Sequence, residues 1–134
     1  KTLEAMVEIE VLTRRAVALM KSKSPEVRAR AAYILLVHPT PEAADALIAA
    51  LDDECESVRH KSAQALARMG RREAIPGLIR ALECPHPHYI QRMAAELLAE
   101  LGDPSAAPHI RKAIADGRLD AAYAWTAEKL ENTR

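Results

Sequence analysis

The chain has 134 residues, and its 49% hydrophobic content is mostly Ala and Leu, with no Phe, three Tyr and one Trp. A chain of this length makes one domain that buries roughly two-thirds of its unfolded surface, and an Ala/Leu core suits packed helices better than strands. Nineteen basic residues balance nineteen acidic ones, which argues against a nucleic-acid binder held by phosphate neutralisation. No apolar run approaches the ~20 residues needed to cross a bilayer, and no signal peptide is visible. Cys55 and Cys84 do not form a disulfide framework and read as reduced thiols of a cytoplasmic protein.

Local punctuation predicts helices near 3–21, 25–37, 41–51, 57–69, 73–82, 88–101, 104–115 and 119–131. In the first, Met6, Ile9, Leu12, Ala16, Leu19 and Met20 form a broad apolar stripe expected to face the core. Leu3, Val7 and Val11 form a second stripe on another side. A terminal repeat should be polar outside, so this second stripe is expected to pack on an earlier repeat, a partner, or a second copy in weak self-association.

Further along, Thr40 is placed as an N-cap with Pro41 at the first helical position and Glu42 in the first turn. Asp52-Asp53-Glu54 makes a turn, and Ser57 is expected to cap a helix carrying Val58, Ala63, Leu66 and Met69 at helical spacing. Gly70 stops that helix. Gly102-Asp103-Pro104 repeats the logic of stop, cap and first position.

These elements recur. SPEVRARAAYILL from Ser24, CESVRHKSAQALARMG from Cys55 and HPHYIQRMAAELLAELG from His86 align with Val27, Val58 and Ile90 in register. Each is followed by a second apolar run: Ala43–Leu51, Ala74–Leu82 and Ala106–Ile114. A fixed period of this size with two helical segments per copy is the signature of an α-solenoid. The expected architecture is all-α: a right-handed solenoid of about four hairpins, 3–37, 41–69, 73–101 and 104–131, in a single domain spanning 1–134. Leu35, Leu51, Leu66, Leu82, Leu98 and Ile114 are expected to be buried between hairpins.

The unit resembles a HEAT repeat, and most of all the short bacterial HEAT-like repeats of phycobilin lyase-type proteins. Asp52, Asp53, Val58, Arg59, Ala63, Leu66 and Gly70 match that pattern, as do Val27, Arg28, Ala31, Ala32 and Leu35, and Ile90, Ala94, Ala95, Leu98 and Gly102. The copy around Ala122–Leu130 is degenerate. The resemblance implies that Arg28 and Arg59 pair with a turn Asp of their own or a neighbouring repeat, and that Gln91 ends this ladder. It also implies that the second helix of each hairpin lines a concave face. By repeat register that face carries Arg30, Tyr33, His60, Lys61, Gln64, Arg92, Met93, Glu96 and Trp125, running from basic to acidic and aromatic. Two readings of it stand: an ordinary solvated face, or a recognition groove for a polypeptide.

Cys84-Pro85-His86-Pro87-His88 is the most unusual stretch, since thiolate and imidazole are ligands of zinc, copper and haem iron. Cys55 lies in the equivalent turn of the previous unit. Only one compact cluster is present, so Cys55, Cys84, His86 and His88 are read as parts of inert turns, with no metal and no cofactor expected. HEAT-repeat deoxyhypusine hydroxylases hold iron through His-Glu dipeptides; here Lys61 follows His60, and no His-Glu pair exists. HEAT-like DNA glycosylases need a basic, aromatic-bearing face that this composition lacks. No phosphate loop or nucleophile triad is legible. The expected function is a non-catalytic, protein- or peptide-binding scaffold or adaptor, with an accessory subunit of a phycobilin lyase-type or chaperone-like enzyme as the alternative.

Overall fold

The computed structural model describes residues 2–85 and 88–133. Eight α-helices follow one another among these residues, without a strand: α1 (Leu3–Leu19), α2 (Pro25–Val37), α3 (Ala44–Ala50), α4 (Glu56–Arg68), α5 (Ile75–Leu82), α6 (His88–Leu101), α7 (Ala107–Ala115) and α8 (Ala124–Glu131). Short 3-10 turns, Pro41–Ala43, Arg72–Ala74, Pro104–Ala106 and Ala121–Tyr123, lead into α3, α5, α7 and α8.

The caps explain most boundaries. Thr2 accepts from the Ala5 N–H at 3.1 Å and Ser24 from the Val27 N–H at 3.3 Å, with Pro25 opening α2. Asp103 and Asp120 accept from Ser105 and Ala122 at 2.9 and 2.8 Å. Gly70 and Gly102 close α4 and α6 at φ of 72° and 70°, a left-handed conformation that costs other residues strain.

Two expected caps differ. Thr40 precedes its helix but makes no side-chain capping bond. Ser57 lies inside α4, where it accepts from Lys61 Nζ at 2.7 Å. The helix starts two residues earlier than a Ser57 cap requires, because Asp53 Oδ1 takes the Cys55 N–H at 2.8 Å and turns the chain there.

Successive helices pair as hairpins, and α2, α4, α6 and α8 stack side by side in one layer. Leu35, Leu47, Leu66, Leu78, Leu82, Leu98 and Ile110 are fully buried between the layers, and Leu51 nearly so. Alanines keep the helices close. At Gly77 an added Cβ would lie 3.1 Å from Leu51 Cδ2 and 3.4 Å from Ala63 Cβ, so α5 approaches its neighbours without room for a side chain.

Both ends depart from expectation. Ile114 is half-buried rather than core, since α7 belongs to the last hairpin and has a neighbour on one side only. In α1, Ile9, Thr13, Ala16 and Val17 turn inward, while Met6, Leu12 and Leu19 stay 56%, 41% and 45% exposed. The inward stripe is narrower than the one expected because α2 is the principal helix α1 packs against.

Candidate functional site

The joint between the first two hairpins is held by Arg28. Its Nε and Nη2 fork onto Asp53 at 2.8 and 3.1 Å, and Nη1 donates to the Ser22 carbonyl at 2.7 Å. The pair is a cross-repeat bond, as the resemblance implies. Burial pushes the Asp53 carboxyl up, but the bonds from Arg28 and the Cys55 N–H, with the charges of Arg28 and Arg59, hold it below the usual aspartate range. Arg59 behaves differently. It donates to the carbonyls of Asp53 and Glu54 at 2.8 and 3.2 Å and, among the described residues, makes no ion pair. Gln91, in the equivalent place of the third repeat, donates Nε2 to the Cys84 carbonyl.

The layer formed by α2, α4 and α6 carries a hollow of about 680 Å³. Helix positions i, i+4, i+7 and i+11 give Ser57, Lys61, Gln64 and Arg68 from α4, all on one face. Facing them are Tyr33, Leu36 and Val37 from α2, and Tyr89, Ile90 and Met93 from α6, with Glu56 and His60 at one edge. Arg30 joins Tyr33 and Lys61 around an adjoining hollow of about 410 Å³. Of the residues expected on the concave face, Tyr33, His60, Lys61, Gln64 and Met93 line the first of these hollows, and Arg30 lines the second beside Tyr33 and Lys61.

Three do not. Arg92 lines a separate hollow with Arg118, Leu119 and Tyr123. Glu96 accepts from the Tyr123 hydroxyl at 3.2 Å; burial and the Glu96 carboxylate raise that hydroxyl above its usual range. Trp125 is 65% exposed under the Lys129 ammonium, 4.6 Å from its ring centroid, a surface cation–π pair. Tyr89, 60% exposed, and Arg68 went unseen in the sequence. Extending the helical series one turn at each end of the repeat motif finds both.

On the other side of His60, a second hollow of about 480 Å³ opens at the joint between the second and third hairpins, lined by the Asp52–Glu54 turn, Glu56, Arg59, His60, Gly77, Arg80, Glu83, Cys84 and Pro85. Glu56, His60 and Cys84 each offer a ligand atom there, all within 4.8 Å of one another. Cys55 is outside this trio. His86 and the side chain of His88 lie outside the described residues.

Stacked helical hairpins of this kind define a helical-repeat protein. The family profile described as HEAT repeats matches residues 13–83 and 44–131, and the chain belongs to that family. It is 40% identical over 111 residues to phycocyanobilin lyase subunit alpha of Nostoc sp., covering 76% of this chain and 40% of that one. With the same subunit of Picosynechococcus sp. it shares 37% identity over 82 residues, 56% of this chain and 30% of the other. The chain therefore spans less than half the length of these relatives. Among solved structures, the complex of CpcE and CpcF of phycocyanin lyase from Nostoc superposes with a TM-score of 0.63 at 38% identity, covering 78% of this chain and 42% of that one. Human deoxyhypusine hydroxylase in complex with glycerol superposes at 0.55 with 26% identity, covering 96% and 46%.

Proposed function

We propose that the chain is an accessory, non-catalytic subunit or module of a phycobilin lyase-type assembly, and that its concave groove receives the pigment. The likeness to lyase alpha subunits carries this reading. The groove's chemistry supports it. Phycocyanobilin is an extended conjugated molecule bearing carboxylates. Tyr33, Leu36, Val37, Tyr89 and Met93 offer it an apolar bed, and Arg30, Lys61 and Arg68 offer cations along one side. The volume falls within the range of ligand clefts. Both cysteines are thiols, the form that a reducing cytoplasm maintains, and no described helix is long and apolar enough to cross a membrane.

The test is a titration of phycocyanobilin into the purified chain, followed by pigment absorbance. A saturable spectral change is expected, weakened about tenfold or more in an Arg30→Glu/Lys61→Glu variant, the loss of a charge-assisted contact. Absence of any saturable change, or equal affinity in the variant, would overturn the groove assignment.

The protein-binding half of the scaffold role falls to α1. Leu3, Val7 and Val11 are 76%, 51% and 48% exposed, and such a contiguous apolar face suits a protein partner or weak self-association. A Val7→Glu/Val11→Glu variant should abolish concentration-dependent association in sedimentation while keeping its helicity; unchanged association would move the contact elsewhere.

A further inference from the structure

We propose that Glu56, His60 and Cys84 form a binding site for a single zinc-class divalent ion at the joint between the second and third hairpins. Glu56 and His60 stand four residues apart on α4, so both side chains leave the same helix face; Glu56 Oε1 lies 3.8 Å from His60 Nε2. Cys84 comes from the turn after α5, and its sulfur completes a trio of ligand atoms within 4.8 Å of one another.

The donor set selects the metal. Thiolate with imidazole favours zinc over the hard cations, and a single carboxylate is a common companion. In a tetrahedral zinc site a sulfur and a nitrogen ligand sit roughly 3.5 Å apart. The trio therefore closes on an ion through side-chain adjustments of about 1 Å. Glu56, whose side chain is 41% exposed, has that freedom. Cys84 is 7% exposed and the His60 side chain 12%, so two donors are already shielded from water.

The surroundings favour a cation. The hollow holds five carboxylates, Asp52, Asp53, Glu54, Glu56 and Glu83, against two guanidiniums of its own, Arg59 and Arg80, with Arg28 pairing Asp53 from the first hairpin, so carboxylates still outnumber guanidiniums five to three. Both guanidiniums are engaged, Arg59 on the Asp53 and Glu54 carbonyls and Arg80 on the Leu51 carbonyl and Asp52. The Cys84 backbone is fixed at both ends, its N–H on Ala81 O at 3.2 Å and its carbonyl on buried Gln91. On binding, Cys84 gives its thiol proton to solvent and enters as thiolate. Three protein ligands leave a fourth position for water or another ligand, beside the concave groove that Glu56 and His60 also border. Zinc binding here requires neither pigment nor partner.

The purified, reduced chain titrated with Zn2+ by calorimetry should bind one equivalent. Loaded with Co2+ instead, it should show the near-ultraviolet thiolate-to-cobalt charge-transfer band, a readout needing no variant. Cys84→Ser should abolish that band and weaken Zn2+ at least about tenfold, as loss even of an outer-shell partner can; His60→Ala should weaken it similarly. Cys55→Ser should change neither. Absence of one-to-one binding, Co2+ binding without the thiolate band, or a site destroyed by Cys55→Ser but not by Cys84→Ser would each overturn the proposal.

Discussion

The first and second joints of the solenoid are built from the same repeat, and the partner of the repeat's arginine differs between them. Arg28 reaches 25 residues forward to Asp53 and closes the first joint with a forked ion pair. The same offset from Arg59 falls on Cys84, which offers no carboxylate. Arg59 settles for backbone carbonyls, and the second joint keeps a hollow edged by Glu56, His60 and Cys84. Losing the carboxylate at Cys84 removes the staple, and Glu56 and His60, standing where the first repeat has Pro25 and Ala29, complete the cluster of donors. The HEAT scaffold tolerates this because the leucine layers beneath, rather than the ion pair, carry the fold.

Breaking that shared layer should have the largest effect. Leu66, on α4 between the two joints, is fully buried. Leu66→Ala should cost about 2–5 kcal/mol in chemical denaturation, as buried Leu truncations do; an unchanged midpoint would contradict the packing of α4. Next comes the staple. Asp53→Ala should lower the melting temperature by several degrees, since it strands Arg28. Cys84→Asp should raise it, by giving Arg59 the carboxylate that Arg28 has. A neutral or lower melting temperature for Cys84→Asp would show that the missing carboxylate is not what separates the stability of the two joints.

Acid sharpens the same contrast. The Asp53 carboxyl sits below its usual range when folded. Its contribution is therefore complete above the ordinary aspartate value near pH 4 and is lost as pH falls through the folded value. Unfolding free energy titrated downward from about pH 5 should fall more steeply in the native chain than in Asp53→Asn. Parallel curves would place the acid sensitivity elsewhere. The smallest effect belongs to Trp125, exposed on α8: Trp125→Ala should change stability by within about 0.5 kcal/mol, and a larger loss would show that the final hairpin leans on it.

The hairpins were legible because their ends are marked by residues with one conformational use. Pro41, Gly70, Gly102 and Asp103 place four boundaries, and the Val-Arg and Ala-Ala positions place the buried faces. The groove was half legible. Tyr33, His60, Lys61, Gln64 and Met93 follow from repeat register, but Tyr89 precedes the aligned motif and Arg68 follows it. Arg92, Glu96 and Trp125 share the register yet miss the groove, because Tyr123 and the turn through Arg118 and Leu119 build a separate hollow at that end. The exposure of Met6, Leu12 and Leu19 was not legible, since periodicity gives a stripe's existence but not how much of it a lone neighbouring helix covers. Nor was the meeting of Glu56 and His60 with Cys84, whose proximity depends on how one hairpin stacks on the next.

Hydrogen–deuterium exchange of the chain with and without phycocyanobilin tests the groove most directly. Protection should concentrate on the inner faces of α2, α4 and α6, around 30–37, 57–68 and 89–93, and should vanish in the Arg30→Glu/Lys61→Glu variant. Protection confined to α1, or to the hollow around Arg118 and Tyr123, would contradict the assignment of the concave face as the pigment site.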